Sequence, residues 1–196
     1  MTFERLRTAL ATRQREDFPF ETLAPERLPE GGLRRAAVLV PLLEKDGAAH
    51  VLLTRRRDDL RHHAGQVSFP GGRVEEGEES RDAALREAHE EIGLDPARVD
   101  VLGRLDEALV LVSAFRLTPW VGVVPYPYPY VAHPGEVEEI LIVPLTALAA
   151  PGVHRTEDHV AYGERLAIHF FDLPQATVWG ATARVLDKLL AVWSAA

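Results

Sequence analysis

The chain has 196 residues, 46% hydrophobic and 27% charged, which suits one ordinary globular domain with a sizeable core and leaves little length for a second. Its formal net charge of −8 argues against a nucleic-acid backbone or an anionic membrane as partner, and the lack of cysteine excludes disulfides and thiolate metal sites. With no apolar core at its N-terminus and no run of about 18 apolar residues, it is expected to be soluble and cytoplasmic.

At the start of the chain, Leu6, Leu10 and Ala11 recur at helical spacing and predict a short helix over Phe3 to Thr12. An extended arm follows to Gly32, punctuated by Pro19, Pro25 and Pro29. Its Phe18, Phe20 and Leu23 indicate that it packs, either on the domain's own surface or on a partner subunit. Residues 1–32 are thus read as helix and arm, and 33–196 as the single domain.

The run AAVLVPLL, Ala36 to Leu43, predicts a buried strand, EKDGA a turn, and His50 to Thr54 a second strand. In the segment that follows, Arg55, Arg56, Arg57 and Arg61 form the only strong basic cluster of an acidic chain. Two readings are open: surface charge offsetting Asp58 and Asp59, or phosphate recognition, for which arginine's planar fork suits bidentate contacts.

Ser80 is a good N-cap, Ala83, Ala84, Ala88 and Ile92 keep helical spacing, and Gly93 suits a left-handed C-terminal cap, so Arg81 to Ile92 is predicted as a helix. On it Glu87 and Glu91 lie one turn apart and Glu90 stands three residues beyond Glu87, crowding three carboxylates on one face. Such a face is either a solvated acidic surface or a seat for a hard divalent cation, Mg²⁺ or Mn²⁺.

Beyond the helix, Asp95 and Pro96 start a turn, and strands are predicted at Val99 to Leu109 and Phe115 to Val124. A long loop then carries Tyr126, Tyr128 and Tyr130, placed either to stack on an adenine or to pack on the surface. A strand at about Glu139 to Val143, a short helix at Pro144 to Ala149, a polar hairpin or loop at His154 to Gly163 and a strand at Leu166 to Phe171 follow. The last prediction is a helix from Thr177 to Trp193, whose stripe of Val178, Ala181, Val185, Leu186, Leu189, Leu190 and Trp193 is ordinary core packing. His154, His159 and His169 have no spacing that compels a zinc site and are assigned structural or surface roles.

Gly72, Glu78 and the run Arg86, Glu87, Ala88, His89, Glu90, Glu91, Ile92, Gly93, Leu94 resemble the Nudix box of the Nudix hydrolase superfamily at every defined position. The resemblance implies an α/β/α sandwich around a mixed β-sheet. It implies that Glu87, Glu90 and Glu91, with the backbone carbonyl of Gly71, hold the divalent metals, and that Arg86 and Glu78 pair to brace the motif. Glu136 stands where many Nudix enzymes place a glutamate outside the box that binds metal or activates water; otherwise it is a solvated loop charge. The general base stays open among Glu90, Glu91 and Glu136.

The segment Leu52 to Gly72, LLTRRRDDLRHHAGQVSFPGG, resembles the coenzyme A diphosphatase branch of that superfamily, as do Val112 to Gly122 and Trp179 to Thr182. Arg57 departs from the branch, which usually has a small residue there. The resemblance implies cleavage of coenzyme A, or a derivative of it, into 4′-phosphopantetheine and adenosine 3′,5′-bisphosphate. It makes Arg56 and Arg61 candidates for phosphate contacts, with His63 and Gln66 either shaping the pocket or fixing the loop. Another nucleoside diphosphate derivative, such as ADP-ribose or NADH, is the alternative substrate, and a non-catalytic nucleotide sensor the alternative class. A homodimer is compatible with the family and with the N-terminal arm.

Overall fold

The computed structural model of the chain describes residues 3–17, 32–60, 63–110, 114–161 and 164–196; at 160–161 and 164–166 it describes the backbone. Its centre is β1 (Arg34–Lys45), which the run AAVLVPLL places deep inside. β1 turns through Asp46 and Gly47, at φ 52° and 73°, into β2 (Ala48–Arg56), with Leu42 facing Val51 and Lys45 facing Ala48. Two consecutive left-handed residues are what a tight two-residue hairpin demands, and Asp-Gly meets that demand at low cost.

Around this hairpin the chain assembles an eight-stranded mixed sheet. β2 takes on β3 (Val67–Ser68) and, outside the main strand order, β8 (Val137–Pro144). β1 pairs antiparallel with β4 (Gly71–Arg73) and parallel with β7 (Phe115–Val123), the latter in register from Arg34 opposite Phe115 to Leu42 opposite Val123. β7 in turn holds β5 (Asp100–Arg104) and β6 (Ala108–Val110).

Because successive side chains of a strand point to opposite faces, β1 feeds two cores. Ala36, Val40 and Leu42 join Leu6 and Leu10 of α1 (Phe3–Thr12) and Ala183, Val185, Leu186 and Leu189 of α4 (Gly180–Ala195). Ala37, Leu39 and Leu43 join Ala83, Ala84, Ala88 and Ile92 of α2 (Ser80–Ile92) on the other side. This double burial explains why the sequence of β1 is continuously apolar instead of alternating. The expected α/β/α sandwich is what the chain forms. A short α3 (Leu145–Leu148) follows β8, and a three-stranded sheet of β9 (His154–Ala161), β10 (Glu164–Leu173) and β11 (Ala176–Trp179) leads into α4, placing Phe171 and Val178 in the first core.

Several predicted boundaries shift. The last helix begins at Gly180, not Thr177, since Ala176–Trp179 pair with Phe170–Leu173 and bury Val178 opposite Phe171. The single strand expected over 99–109 breaks into β5 and β6. Between them, Leu105 to Glu107 turn to meet the N-terminal segment: Asp106 pairs with Arg13, and the Glu107 amide donates to Asp17, which also takes a bidentate contact from Arg104 at 2.9 and 3.0 Å. Leu6 and Leu10 of α1 are buried as predicted, while Ala11 is exposed. Ser80 is the first residue of α2 instead of its cap; its Oγ accepts a hydrogen bond from Trp120 Nε1 at 3.1 Å. The arm residues Phe18, Phe20 and Leu23 lie outside the described residues. Among the described residues, no helix is long and apolar enough to cross a membrane.

Candidate metal and diphosphate site

β4 and α2 are joined by a glycine-containing turn, and two glycines set how closely they meet. A Cβ on Gly71 would collide with the Ala37 carbonyl and Val38 of β1, and one on Gly72 would take the space of the Glu87 carboxylate. At Gly71, where the clash is with backbone and φ is 157°, glycine is what lets β4 lie against β1, and the bare backbone of Gly72 leaves the Glu87 carboxylate its present place. At the far end Gly93, at φ 66°, closes α2 with its amide on the His89 carbonyl, as predicted.

Arg86 organises this face. Its Nε and Nη2 donate to the two oxygens of Glu78 at 2.9 and 3.2 Å, and Nη2 also reaches the Arg73 carbonyl at 3.0 Å. Nη1 donates to Glu87 at 2.9 Å and lies 3.4 Å from Glu90 Oε2. The hydrogen bonds from Arg86 hold the Glu78 carboxyl below its usual range against the opposing effect of burial. Burial pushes the Glu87 carboxyl up, against the pull of Arg86.

Glu91 is the most unusual group of the site. It is 4% exposed, and burial pushes its carboxyl up to about 8; Arg56 opposes this, Glu136 and Glu87 add to it, and the Gly71 amide stabilises the charge with a hydrogen bond. Its Oε1 lies 3.7 Å from Arg56 Nη1, and its Oε2 is buried with no partner. Arg56, at the end of β2, reaches Glu136 Oε2 at 3.6 Å with Nη2, and its Nε is likewise buried without a partner. A buried carboxylate crowded by two others, with an orphan oxygen, is a poor arrangement for a protein alone and a good one for a hard cation or a charged ligand. Glu90 stands at the mouth, its side chain 56% exposed.

Glu87, Glu90, Glu91, Arg56 and Glu136 therefore come together, while Arg61 lies outside the described residues. The three box glutamates are shared between two arginines and are not drawn in as a trio: among the described residues, the group whose three ligand atoms fall within 4.8 Å is His154, His169 and Asp187. His63 and Gln66 face each other, Nδ1 to Oε1 at 2.8 Å, with His63 at φ 57°. The Gln66 carbonyl accepts from the Arg56 amide at 2.9 Å, so this pair braces the end of β2 that carries Arg56.

Arg57 has a role that sequence reasoning missed. Its amide donates to the Glu136 carbonyl at 3.0 Å and its Nη1 to the Pro134 carbonyl at 2.9 Å, tying the end of β2 to the turn that presents Glu136. The same turn is fastened to α2, since the His133 and Val131 amides donate to the carbonyls of Glu91 and Ile92. Tyr128 donates to the Gly93 carbonyl at 3.1 Å and Tyr130 to the Pro125 carbonyl at 2.8 Å, so these two tyrosines pack the loop, and Tyr126 stays 38% exposed.

Residues 33–162 match the family model of the NUDIX domain. Nudix hydrolase 15, mitochondrial, of Arabidopsis thaliana is 38% identical over 167 residues, 81% of this chain and 58% of that protein. NudL of Cronobacter sakazakii, an uncharacterized Nudix hydrolase, is 39% identical over 163 residues, covering 80% of this chain and 81% of its own length. The crystal structure of a Nudix hydrolase from M. smegmatis, RenU, superposes with a TM-score of 0.51 at 26% identity, over 60% of this chain and 74% of that one. The chain spans 58% of the length of that plant protein and of Nudix hydrolase 22, chloroplastic, of Arabidopsis thaliana, to which it is 37% identical.

Proposed function

The chain belongs to the Nudix domain family, and from that premise we propose that it is a Mg²⁺- or Mn²⁺-dependent hydrolase of the diphosphate of coenzyme A or its derivatives. One observation carries the enzymatic reading: the buried Glu91 carboxylate, with an oxygen that no protein group satisfies, faces Arg56 and Glu136 across the mouth of the box. A buried carboxylate left without a partner costs stability unless a cation takes it up, and a seat for divalent ions beside a phosphate-binding arginine is what diphosphate hydrolysis requires. The coenzyme A assignment is supported by the segment Leu52 to Gly72, which supplies Arg56 and the His63–Gln66 contact beneath it.

Glu87, Glu90, Glu91 and the Gly71 carbonyl would hold the ions, and their hard oxygens suit Mg²⁺ or Mn²⁺. When bound, such ions polarise the diphosphate oxygens and lower the pKa of the attacking water. Arg86, fixed by Glu78 and the Arg73 carbonyl, positions Glu87 and Glu90. Arg56 offers its guanidinium to a phosphate oxygen, with Arg61 as a second candidate. Water adds to one phosphorus, a carboxylate accepts its proton, and the bridging P–O bond breaks to release 4′-phosphopantetheine and adenosine 3′,5′-bisphosphate. Glu90, Glu91 and Glu136 are the three candidates for that proton.

Incubation with coenzyme A, ADP-ribose and NADH, each with Mg²⁺ or Mn²⁺, followed by mass spectrometry of the products, tests the proposal. Coenzyme A is expected to be cleaved fastest, with Glu91→Gln nearly inactive. Faster turnover of ADP-ribose or NADH would overturn the substrate and keep the chemistry, and no metal-dependent turnover of any of them would leave the sensor.

A further inference from the structure

The register of β9 and β10 sets His154 opposite Phe171, which makes His154 and His169 diagonal neighbours on one face of the hairpin. Asp187 reaches the same point from the middle of α4. His154 Nε2 and His169 Nδ1 are 3.0 Å apart, and the Asp187 oxygens lie 3.9 Å from His154 Nδ1 and 4.0 Å from His169 Nδ1. One ligand atom from each of the three residues falls within a 4.8 Å span. Two nitrogens on one tetrahedral zinc, each bonded at about 2.0–2.1 Å, stand roughly 3.3 Å apart, so a small opening and retilting of the present 3.0 Å hydrogen-bonded pair, whose planes now lie at 7°, brings both imidazoles to ligand spacing.

We propose that His154, His169 and Asp187 form a second metal site, for a borderline divalent cation of the zinc type, separate from the carboxylate site on α2. Imidazole nitrogen favours Zn²⁺, Cu²⁺ or Ni²⁺ over Mg²⁺, whereas the all-oxygen set on α2 favours the opposite. The His154 ring is held against Phe171, with centroids 4.6 Å apart and planes at 13°, so its orientation is fixed by the core beneath it. Lys188, one residue along α4, is paired with Glu16 and Asp106 at 3.4 and 3.5 Å, and burial, with Arg184 and Lys188 adding to it, disfavours the protonated form of His169, which leaves the neutral imidazole that a metal takes. The side chains of His154, His169 and Asp187 are 34%, 18% and 38% exposed, enough for an ion to enter. A cavity of about 300 Å³ opens beside His154 and Asp187, lined also by Leu148, Leu190 and Ser194. His154 and Asp187 face that space, so an ion held by the three residues has room there for water or a small anion as a fourth ligand. Binding there displaces the hydrogen bond between the two imidazoles and ties the β9–β10 hairpin to α4. Since α4 and α2 pack on opposite faces of the large sheet, the two sites do not share ligands.

The test is calorimetric titration of the full chain with ZnCl₂ in saturating Mg²⁺, repeated with Co²⁺ to read its d–d absorption. One tight event is expected in the wild type, lost in H154A and H169A and weakened by about tenfold or more in D187N. D187N alters a partly exposed helix position and keeps the test decisive where a histidine variant fails to fold. Superimposable isotherms for wild type and D187N would overturn the site, as would zinc binding that vanishes in E91Q but persists in H154A.

Discussion

Replacing Glu91 with glutamine is expected to stabilise the metal-free protein while abolishing turnover. In the folded chain burial pushes this carboxyl from its ordinary 4.5 to about 8, so at pH 7 it stays protonated in a state that the unfolded chain would leave ionised. A raised carboxylate pKa makes the unfolded state the better acid, so stability falls as pH climbs from 4.5 towards 8. Between 4.5 and 7, at about 1.4 kcal/mol per pH unit, the penalty reaches about 3 kcal/mol, which glutamine does not incur. For a chain of this length that corresponds to a rise in melting temperature of roughly 6–12 °C. The assay is thermal melting in chelator at pH 7 and again near pH 4.5, where the two curves should converge. Mg²⁺ or Mn²⁺ should then raise the melting temperature of the wild type and leave E91Q nearly unchanged. A metal-free E91Q that melts at or below the wild type at pH 7 would refute the reasoning.

Gly71→Ala forces a Cβ into the Ala37 carbonyl and is expected to cost about 1–3 kcal/mol, measured by urea unfolding; an unchanged midpoint would show that β4 does not need this close approach. Arg57→Ala removes the hydrogen bond to the Pro134 carbonyl, worth about 1 kcal/mol, and should lower kcat/KM severalfold with little change in melting temperature; an equal loss of both would make Arg57 a stability residue. Asp17 is held below its ordinary value by the Arg104 hydrogen bond, and Asp106 by Arg13 and the Glu16 amide despite its burial. Depressed carboxylates contribute stability above their unfolded pKa and lose it as pH falls through the folded value. Melting temperature should therefore drop below about pH 4 and drop less steeply in D17N; parallel slopes would remove the N-terminal segment from the acid response.

The spacing of Ala83, Ala84, Ala88, Ile92 and Gly93 is enough to place α2, because an amphipathic helix with a left-handed end writes both signals locally. The apolar run of β1 was equally readable, since a strand buried on both faces has no alternation to obscure. The crowding of Glu87, Glu90 and Glu91 on one face was also legible from their spacing, whereas the Arg86–Glu78 pair was expected only through the resemblance to the Nudix box. What the sequence hid depends on pairing between distant segments. β11 reads as the first turn of α4 because Val178 continues the helical stripe, and only its position opposite Phe171 makes it a strand. Arg57 carried no local sign of its contact with Pro134, 77 residues away. His154 and His169 meet through a hairpin register that no spacing rule supplies, and Asp187 joins them from another element.

The attachment of residues 131–136 to α2 has a mechanical consequence. The amides of Val131 and His133 are bonded to the carbonyls of the last helical residues, and the Arg57 amide holds the Glu136 carbonyl from the other side. The loop that presents Glu136 is thus bonded to α2 on one side and to the end of β2 on the other, so a shift of the loop is transmitted to the Glu91 end of the helix and to the strand that carries Arg56 together. Val131, 66% exposed where the loop is bonded to the end of α2, is where an environment-sensitive fluorophore would register ion or substrate entry without touching a single charged group of the site.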